Sequence, residues 1–513
     1  MVSSVKLFLK SYTLPILAGF LVGTTYIPFP PWALGFCLAP LWLFWTRNAG
    51  SYKKLFWSGW ICQFILNLIG FHWVARTCIE FGGLPPVVGY LILLLFASVA
   101  HLYYPLAALL WGFLQSRVSK RVAWILIPLA FAVCESLYPT IFFWHLGYPW
   151  LWAGMPGAQM AEWVGFYGLN ILTLAINLLV LLFLVQKKKR YLSFALLLFA
   201  VPQLIGYQLK ERFREGDKTF TAIVVQANIG NAIKIEQDKG PRFHEFILRK
   251  FSELTAQGVE QSPGADLIIW PETAYPSYIT KALRKDSYQQ RLIHSIQSFE
   301  RPLLTGAYEQ QGPAVYNSMV LFDKRGNYLQ SYKKTMLLAF GEYFPGAAFY
   351  PKLKTWFPMV ADFSWGTGPE VLNTGMDQFP ILGAQICYES LFDFNSRVLF
   401  EKQAQVIINV TNDSWFGYSF EPFQHLYMTL ARAIEFRIPL IRSTNTGVSA
   451  AISARGDISE FSPRHQEWVG SFTVNYKSTP EPTLYSYYAG HWPEILIFLL
   501  LAFILGGRVA RKS

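Results

Sequence analysis

The chain has 513 residues and is 53% hydrophobic and 17% aromatic, with only 15% charged residues. A soluble globular chain carries about 25% charged residues, so this composition points to a membrane protein of two to four domains. The net charge of +12 does not argue for nucleic acid, because the lysines and arginines cluster in short runs between apolar segments, as the positive-inside rule expects.

Apolar stretches of about 17–25 residues are long enough to cross a bilayer. Eight are predicted as transmembrane helices, at 12–28, 30–46, 55–75, 87–113, 122–140, 165–185, 191–208 and 490–507. YIPFPP joins the first two as a tight hairpin. Basic and non-basic connections alternate along the chain. Lys6 and Lys10, then Arg47, Lys53 and Lys54, then Arg117, Lys120 and Arg121, then Lys187 to Arg190, and finally Arg508, Arg511 and Lys512 fall on one side. The connection around Pro28 to Pro31 has no charge, Arg76 and Glu80 cancel, and Pro139 to Gly165 is nearly neutral. This places both termini in the cytoplasm and the long segment after the seventh span outside. The first span has a basic start but no convincing small-residue cleavage site, and further spans follow it, so it reads as retained.

From about Lys218 to Pro480 the charged residues return. TAIVVQANI, ADLIIWPE, PLLTGAYE, VYNSMVLFD, ILGAQICYE, QVIINVTND and PLIRSTNTGVSAAISA predict strands. Asp323 to Asn327 is a polar turn between two of them, and HEFILRKFSELTAQ, QQRLIHSIQSF and FQHLYMTLARAIEF have helical periodicity. Strands alternating with helices predict an α/β layered domain. The expected organisation is 1–215 as a seven-helix transmembrane domain, 216–482 as an exported domain, and 483–513 as a last transmembrane helix with a cytoplasmic tail.

Of five cysteines, Cys37, Cys62, Cys78 and Cys134 lie in or beside predicted spans, where cysteine commonly serves as a small apolar filler. Cys387 stands without a disulfide partner in the exported domain. It is either a reactive thiol or a buried structural one. Three other stretches bear on the choice. Glu272 follows an apolar strand behind Trp270-Pro271, where aromatic shielding would raise its pKa and suit it as a general base. Lys333, Lys334 and Glu342 follow a hairpin strand, and a lysine there could lower a thiol's pKa or bond to an oxyanion. Asn412, Asp413, Trp415 and Phe416 follow another strand. Taken singly, each is a weak signal, because a Glu after a strand is usually just solvated and a Lys pair on a hairpin is usually a solvated edge.

WPE, then YKK, then CYE, each after a strand, resembles the nitrilase superfamily, which implies a Glu-Lys-Cys triad on an α-β-β-α sandwich. FGEYFP, QICYESLF, NDSWFG and RSTNTG in one exported domain, framed by seven spans and one, is similar to the apolipoprotein N-acyltransferase family over essentially the whole chain. GYPWLWAG at 147–154 and the intramembrane Glu135 fit that family's membrane half. The resemblance implies Glu272 as base, Lys334 as oxyanion partner and Cys387 as nucleophile, with Glu342, Tyr388, Glu389, Asn412 and Trp415 supporting them. The family's lysine lies six residues before the Phe of FGE, which selects Lys334, with Lys333 a near alternative. Departures are Ala339 where proline is usual, Met336 where histidine is common, and Ile235 where tryptophan is often found. The last bears on acyl-chain or lipoprotein preference.

The resemblance further implies an acyltransferase that moves a fatty acyl chain from a phospholipid onto the amine of a diacylated apolipoprotein through a Cys387 thioester. The setting would be the bacterial cytoplasmic membrane, with the catalytic domain on the periplasmic side. No cofactor is expected, and the eight scattered histidines show no metal-ligand spacing. Aromatic loops such as YFPGAAFYPKLKTWFPMV suit either exclusion of water or an interfacial anchor. Two rivals are a membrane-tethered amidase with the same triad acting on a small soluble substrate, and a transporter or scaffold that uses Asn67, His101 and Glu135.

Overall fold

The computed structural model describes residues 10–230, 241–279, 287–352, 355, 360–376 and 378–512. Ile235 and Lys6 lie outside these residues, as does part of the loop that follows Glu342. The chain forms two compact units. One comprises Met1–Ile79, Gly83–Arg212 and Tyr488–Ser513, and the other Glu80–Gly82 and Phe213–Tyr487.

The first unit is helical. Among the described residues, four helices are long and apolar enough to cross a membrane: Pro86–Gln115, Pro156–Gln186, Lys189–Arg212 and Trp492–Val509. A fifth is obtained if Tyr52–Gly70 and Trp73–Glu80, bent by 59°, count as one. The sequence suggested eight, and the difference has local causes. The stretch 12–28 forms only the 11-residue helix Thr13–Gly23, about half of a bilayer core at 1.5 Å per residue. The stretch 30–46 runs through turns after Pro30 and Pro31 and is helical only over Ala39–Arg47, nine residues. The stretch 122–140 is a helix, Lys120–Leu137, that carries Lys120, Arg121 and Glu135 and an internal Pro128. The polar groups of this unit bond to one another. Asn67 Oδ1 lies 2.6 Å from His101 Nδ1. Glu135 accepts from Tyr103, at 3.2 Å, and from Asn170.

In the second unit the apolar runs become strands. They are β1 (Lys218–Gln226), β2 (Leu267–Ile269), β3 (Tyr278–Ile279), β4 (Leu303–Gln311), β5 (Ala314–Phe322), β6 (Tyr328–Lys333), β7 (Val371–Leu372), β8 (Leu382–Ile386), β9 (Val406–Thr411), β10 (Leu440–Thr444), β11 (Ala450–Ile452), β12 (Ile458–Phe461) and β13 (Trp468–Tyr476). One sheet has the order β13-β1-β2-β4-β5-β6, with β3 beside β4, and the other has the order β12-β11-β10-β9-β8-β7. The inner strands β1, β2 and β4, and likewise β8, β9 and β10, run parallel. β8, β9 and β10 are buried throughout, as parallel strands covered on both faces should be.

The sheets pack on each other through β1 with β10, β11 with β13 and β5 with β8. The helix Pro241–Gln261 covers β1 and β13 and meets the helix Ser287–Phe299, while Asp393–Glu401 covers β8 and meets Glu421–Phe436. The result is two sheets between helical layers. Ile223, Val225, Ile268, Trp270 and Leu303 of the first sheet bury against Ile247, Phe251, Leu292 and Ile296 of its helices.

Candidate active site

Parallel strands deliver their C-terminal ends to one edge, where open α/β layers commonly hold ligands. Glu272 follows β2, Lys334 follows β6, Cys387 follows β8 and Asn412 follows β9. Glu272 is 4% exposed, Lys334 1% and Cys387 8%. The turn that carries Glu272 packs onto Gly306 of β4. A Cβ there would lie 2.5 Å from Glu272 Cα, so only glycine permits the approach.

Lys334 Nζ donates to Glu272 Oε1 at 3.3 Å and to Glu342 Oε1 at 2.9 Å, and lies 2.8 Å from Glu342 Oε2. Asn317 of β5 bridges the same two carboxylates, donating Nδ2 to Glu272 Oε1 at 2.7 Å and to Glu342 Oε1 at 2.8 Å. The Asn412 backbone N–H donates to Glu272 Oε2 at 2.8 Å, and the Leu338 N–H to Glu342 Oε2 at 2.8 Å. A carboxylate enclosed by donors replaces the aromatic-shielded one expected of Glu272. Trp270 faces the helical layer, stacking near Phe251 and donating to Thr255. The two lysines also separate. Lys333 Nζ lies 4.3 Å from the centre of the Tyr316 ring, away from the carboxylates.

Burial by itself would push the Lys334 ammonium down. The Glu272 and Glu342 charges outweigh this and hold it well above the ordinary lysine value. Burial pushes the Cys387 thiol up, the Glu272 charge adds to the effect, and Lys334 offsets only part of it. Cys387 is therefore a protonated thiol at neutral pH. It is not the thiolate that a neighbouring lysine might create, so its chemistry needs a base.

Cys387 adopts φ +52, a conformation that costs a non-glycine residue about 1–3 kcal/mol and clusters at functional sites. Its carbonyl oxygen accepts from Ser390 Oγ at 3.1 Å and Asn409 Nδ2 at 3.3 Å, and lies 3.2 Å from His425 Nε2. At about 0.5–1.5 kcal/mol each, such bonds are of the size needed to hold the turn.

Glu389, fully buried, joins the Cys387 turn to the lysine segment. Its Oε1 accepts from Tyr332 at 2.6 Å, from the Thr335 N–H at 2.6 Å and hydroxyl at 3.0 Å, and from the Met336 N–H at 3.1 Å. Its Oε2 accepts from the Ile386 N–H at 2.7 Å. One side chain thus ties the residues after Lys334 to the residue before Cys387. Tyr388 is buried, with its ring edge-on to Phe392. Asn412 accepts from Ser414 at 2.7 Å and from Asn445 at 3.1 Å. Trp415 is half-buried on the turn Asp413–Phe416, and Phe416 is buried.

Asp413 is fully buried beside Gly447, where a Cβ would lie 2.1 Å from Asp413 Oδ2. Burial would raise its pKa, but Arg442 and His425 outweigh burial and lower it. Asp413, Glu421 and His425 bring ligand atoms within 4.8 Å of one another, a grouping that could hold a metal ion. Here, however, the Arg442 guanidinium reaches both Asp413 oxygens, at 3.2 and 3.0 Å, and supplies the positive charge. Sequence reading passed over Asn317, Asn409 and His425, and took Arg442 and Asn445 only as part of the RSTNTG run. The available signals were polar residues inside apolar strands, as in VYNSMVLF and VIINVT, and the RSTNTG run.

A carbon-nitrogen hydrolase family model matches residues 224–479, and a model of the apolipoprotein N-acyltransferase N-terminal domain matches residues 18–179. An apolipoprotein N-acyltransferase of Bdellovibrio bacteriovorus is 46% identical, covering 96% of this chain and 92% of that protein. One of Geobacter metallireducens is 30% identical over 90% and 88%, and one of Haemophilus ducreyi is 26% identical over 95% of each. A solved amidase from Nesterenkonia sp. aligns at 18% identity with a TM-score of 0.37, covering 56% of this chain and 98% of that one. With both units matched and nearly half of the residues shared with the Bdellovibrio protein along the whole length, the chain belongs to the apolipoprotein N-acyltransferase family.

Proposed function

We propose that this acyltransferase moves a fatty acyl chain from a phospholipid to the N-terminal amine of a diacylglyceryl-cysteine lipoprotein, in two steps through a thioester on Cys387. The observation that carries the reading is Lys334, buried between two carboxylates and within electrostatic reach of a neutral thiol on a strained turn.

In the first step Glu272 takes the thiol proton as sulfur attacks the ester carbonyl. Lys334 stays charged, because Glu342 holds it while Glu272 is neutralised. Its ammonium then faces the new oxyanion. Negative charge moves from Glu272 to the oxyanion and no net charge is created in the dry site. Collapse expels a lysophospholipid, whose oxygen receives the Glu272 proton. In the second step the amine attacks the thioester, Glu272 accepts the amine proton, and the departing sulfur recovers it as the amide forms. Glu389 keeps the lysine segment in register with Cys387, and Glu342 and Asn412 hold the ammonium and the base. The exposed aromatic side chains Phe340, Phe349 and Trp365 suit an acyl chain arriving from a bilayer.

The helical unit is proposed to lie in the bacterial cytoplasmic membrane. Lys187 to Arg190 stand at the junction of the spans Pro156–Gln186 and Lys189–Arg212, which argues for a cytoplasmic junction. The unit after Arg212 is then periplasmic, as the domain 216–482, and the last span returns the C-terminus to the cytoplasm, where the N-terminus also lies. The test supplies phospholipid with a labelled acyl chain together with a diacylated lipopeptide. Label should reach the peptide as an amide, and acetylating the peptide amine should abolish transfer. Release of free fatty acid only would favour a hydrolase.

A further inference from the structure

The strained turn at Cys387 is held from a single buried cation that the proposed chemistry does not use. Arg442, in β10, is fully buried. Its Nη1 donates to Asn409 Oδ1 at 2.6 Å, and Asn409 Nδ2 donates to the Cys387 carbonyl at 3.3 Å. Arg442 Nη1 also donates to Thr429 Oγ1 at 3.3 Å. Thr429 Oγ1 is 2.7 Å from Ser390 Oγ, and Ser390 donates to the Cys387 carbonyl at 3.1 Å. Nη2 pairs with Asp413, and His425 stands between Asp413 Oδ1 and the Cys387 oxygen, 3.2 Å from each. Two hydrogen-bonded routes leave one guanidinium and converge on one carbonyl oxygen, and the His425 ring, which when neutral has a single N–H, packs between Asp413 and the same oxygen.

We propose that Arg442 is the positioning residue of the nucleophile, setting the backbone of Cys387 through Asn409 and through Thr429 and Ser390, with His425 packed against the same carbonyl. Arg442 lies two steps or more from the thiol along each route. A residue at φ +52 relaxes toward commoner backbone regions when its restraints go, and the thiol turns with it, away from Glu272 and Lys334. The guanidinium is suited to the task because its planar fork can serve several acceptors at once and never loses its proton. A lysine could reach one of them. The assignment rests on Cys387 as the acylated thiol.

The test measures single-turnover acylation by phospholipid in the full-length protein, alongside the rate at which iodoacetamide labels the Cys387 peptide. The second readout does not depend on any lipid. Ser390→Ala and Thr429→Val each remove the same route, so each should slow acylation by about 3- to 10-fold and the double variant by no more than either. Ser390→Ala with His425→Leu removes one route and the ring packed on the same carbonyl, and should slow it further. Arg442→Lys should lose about 10- to 100-fold in kcat with KM for phospholipid within about twofold, and Asn409→Asp should not rescue it. In every variant the labelling rate should change in step with acylation while the wild-type melting temperature is kept in the Ser390 and Thr429 variants. The proposal is overturned if these two act additively, or if kcat is unchanged. It is equally overturned if losses track protein yield or melting temperature alone. If Arg442→Lys does not fold, the Ser390, Thr429 and His425 variants decide. Absence of acylation in the wild type with normal labelling would refute the acyl-enzyme reading and leave the Arg442 assignment to be judged on labelling.

Discussion

Replacing Lys334 by methionine keeps most of the side-chain volume and removes the ammonium. The change leaves Glu272 and Glu342, 4% and 6% exposed, joined only by Asn317. Removing one partner of a buried ion pair costs about 3–5 kcal/mol, because the remaining charge is uncompensated. Two losses follow. The oxyanion loses a donor, worth on the order of 10²–10³ in rate, and the base loses its cationic partner. Acylation should fall by 10³ or more, by order of magnitude. Adding Glu342→Gln returns the cluster to the net charge of the wild type, in which one ammonium faces two carboxylates, with Glu272 now the one carboxylate left. The double variant should recover most of the stability and none of the activity. Lys333→Met removes a cation over the Tyr316 ring at 4.3 Å, worth about 0.5–1 kcal/mol, and should retain activity within about threefold. The assay is acyl-enzyme formation by intact mass, with melting temperature measured in the same detergent. Equal losses in the two single variants would refute the reasoning, as would recovery of activity in the double variant.

Asn317→Asp would set a third carboxylate against Glu272 and Glu342, both within 2.8 Å of the present amide nitrogen. It should lower the melting temperature and slow acylation by at least about tenfold at pH 7, and activity equal to the wild type would contradict the bridging role. The pH dependence of stability has a definite sign. The Cys387 thiol is raised in the folded protein, so its contribution is complete below the unfolded thiol value of about 8.5 and is lost as pH rises beyond it. Unfolding curves should show the wild type losing stability relative to Cys387→Ala above about pH 9, and a difference independent of pH would remove the raised thiol from the account. A tag at Gly326 should be reachable from outside the cytoplasmic membrane while a tag at Lys188 is not. The reverse labelling pattern would invert the proposed topology.

Much of the second unit can be read directly from residue pattern. TAIVVQANI, QVIINVTND and the other apolar runs are strands because continuous β-branched stretches of that length fit buried parallel positions. Cys387 and Glu272 were conspicuous because each follows such a run, and Lys334 was picked out by its spacing from the Phe of FGE. The turn of Cys387 was not legible, since a φ of +52 at a non-glycine residue is imposed by tertiary bonds. Asn317 escaped notice, and Arg442 was given no role beyond the RSTNTG run, for a related reason. Each is a polar residue inside an apolar strand, and what it does depends on partners up to 45 and 33 residues away. The excess of predicted spans came from reading apolar content without breaks. Pro30 and Pro31 stop the helix in one stretch, and Lys120, Arg121 and Glu135 make another too polar. β13 was missed because WVGSFTVNY alternates with small and polar residues at a sheet edge.

The most direct test of the account is the mass of the protein after exposure to phospholipid without acceptor. The wild type should gain one fatty acyl chain, carried on the Cys387 peptide, lost to hydroxylamine as a thioester is, and discharged as an amide when a diacylated peptide with a free amine is added. Cys387→Ala should gain nothing. An acyl group that still forms on Cys387→Ala, or one that leaves only to water whatever amine is offered, would contradict the two-step transfer.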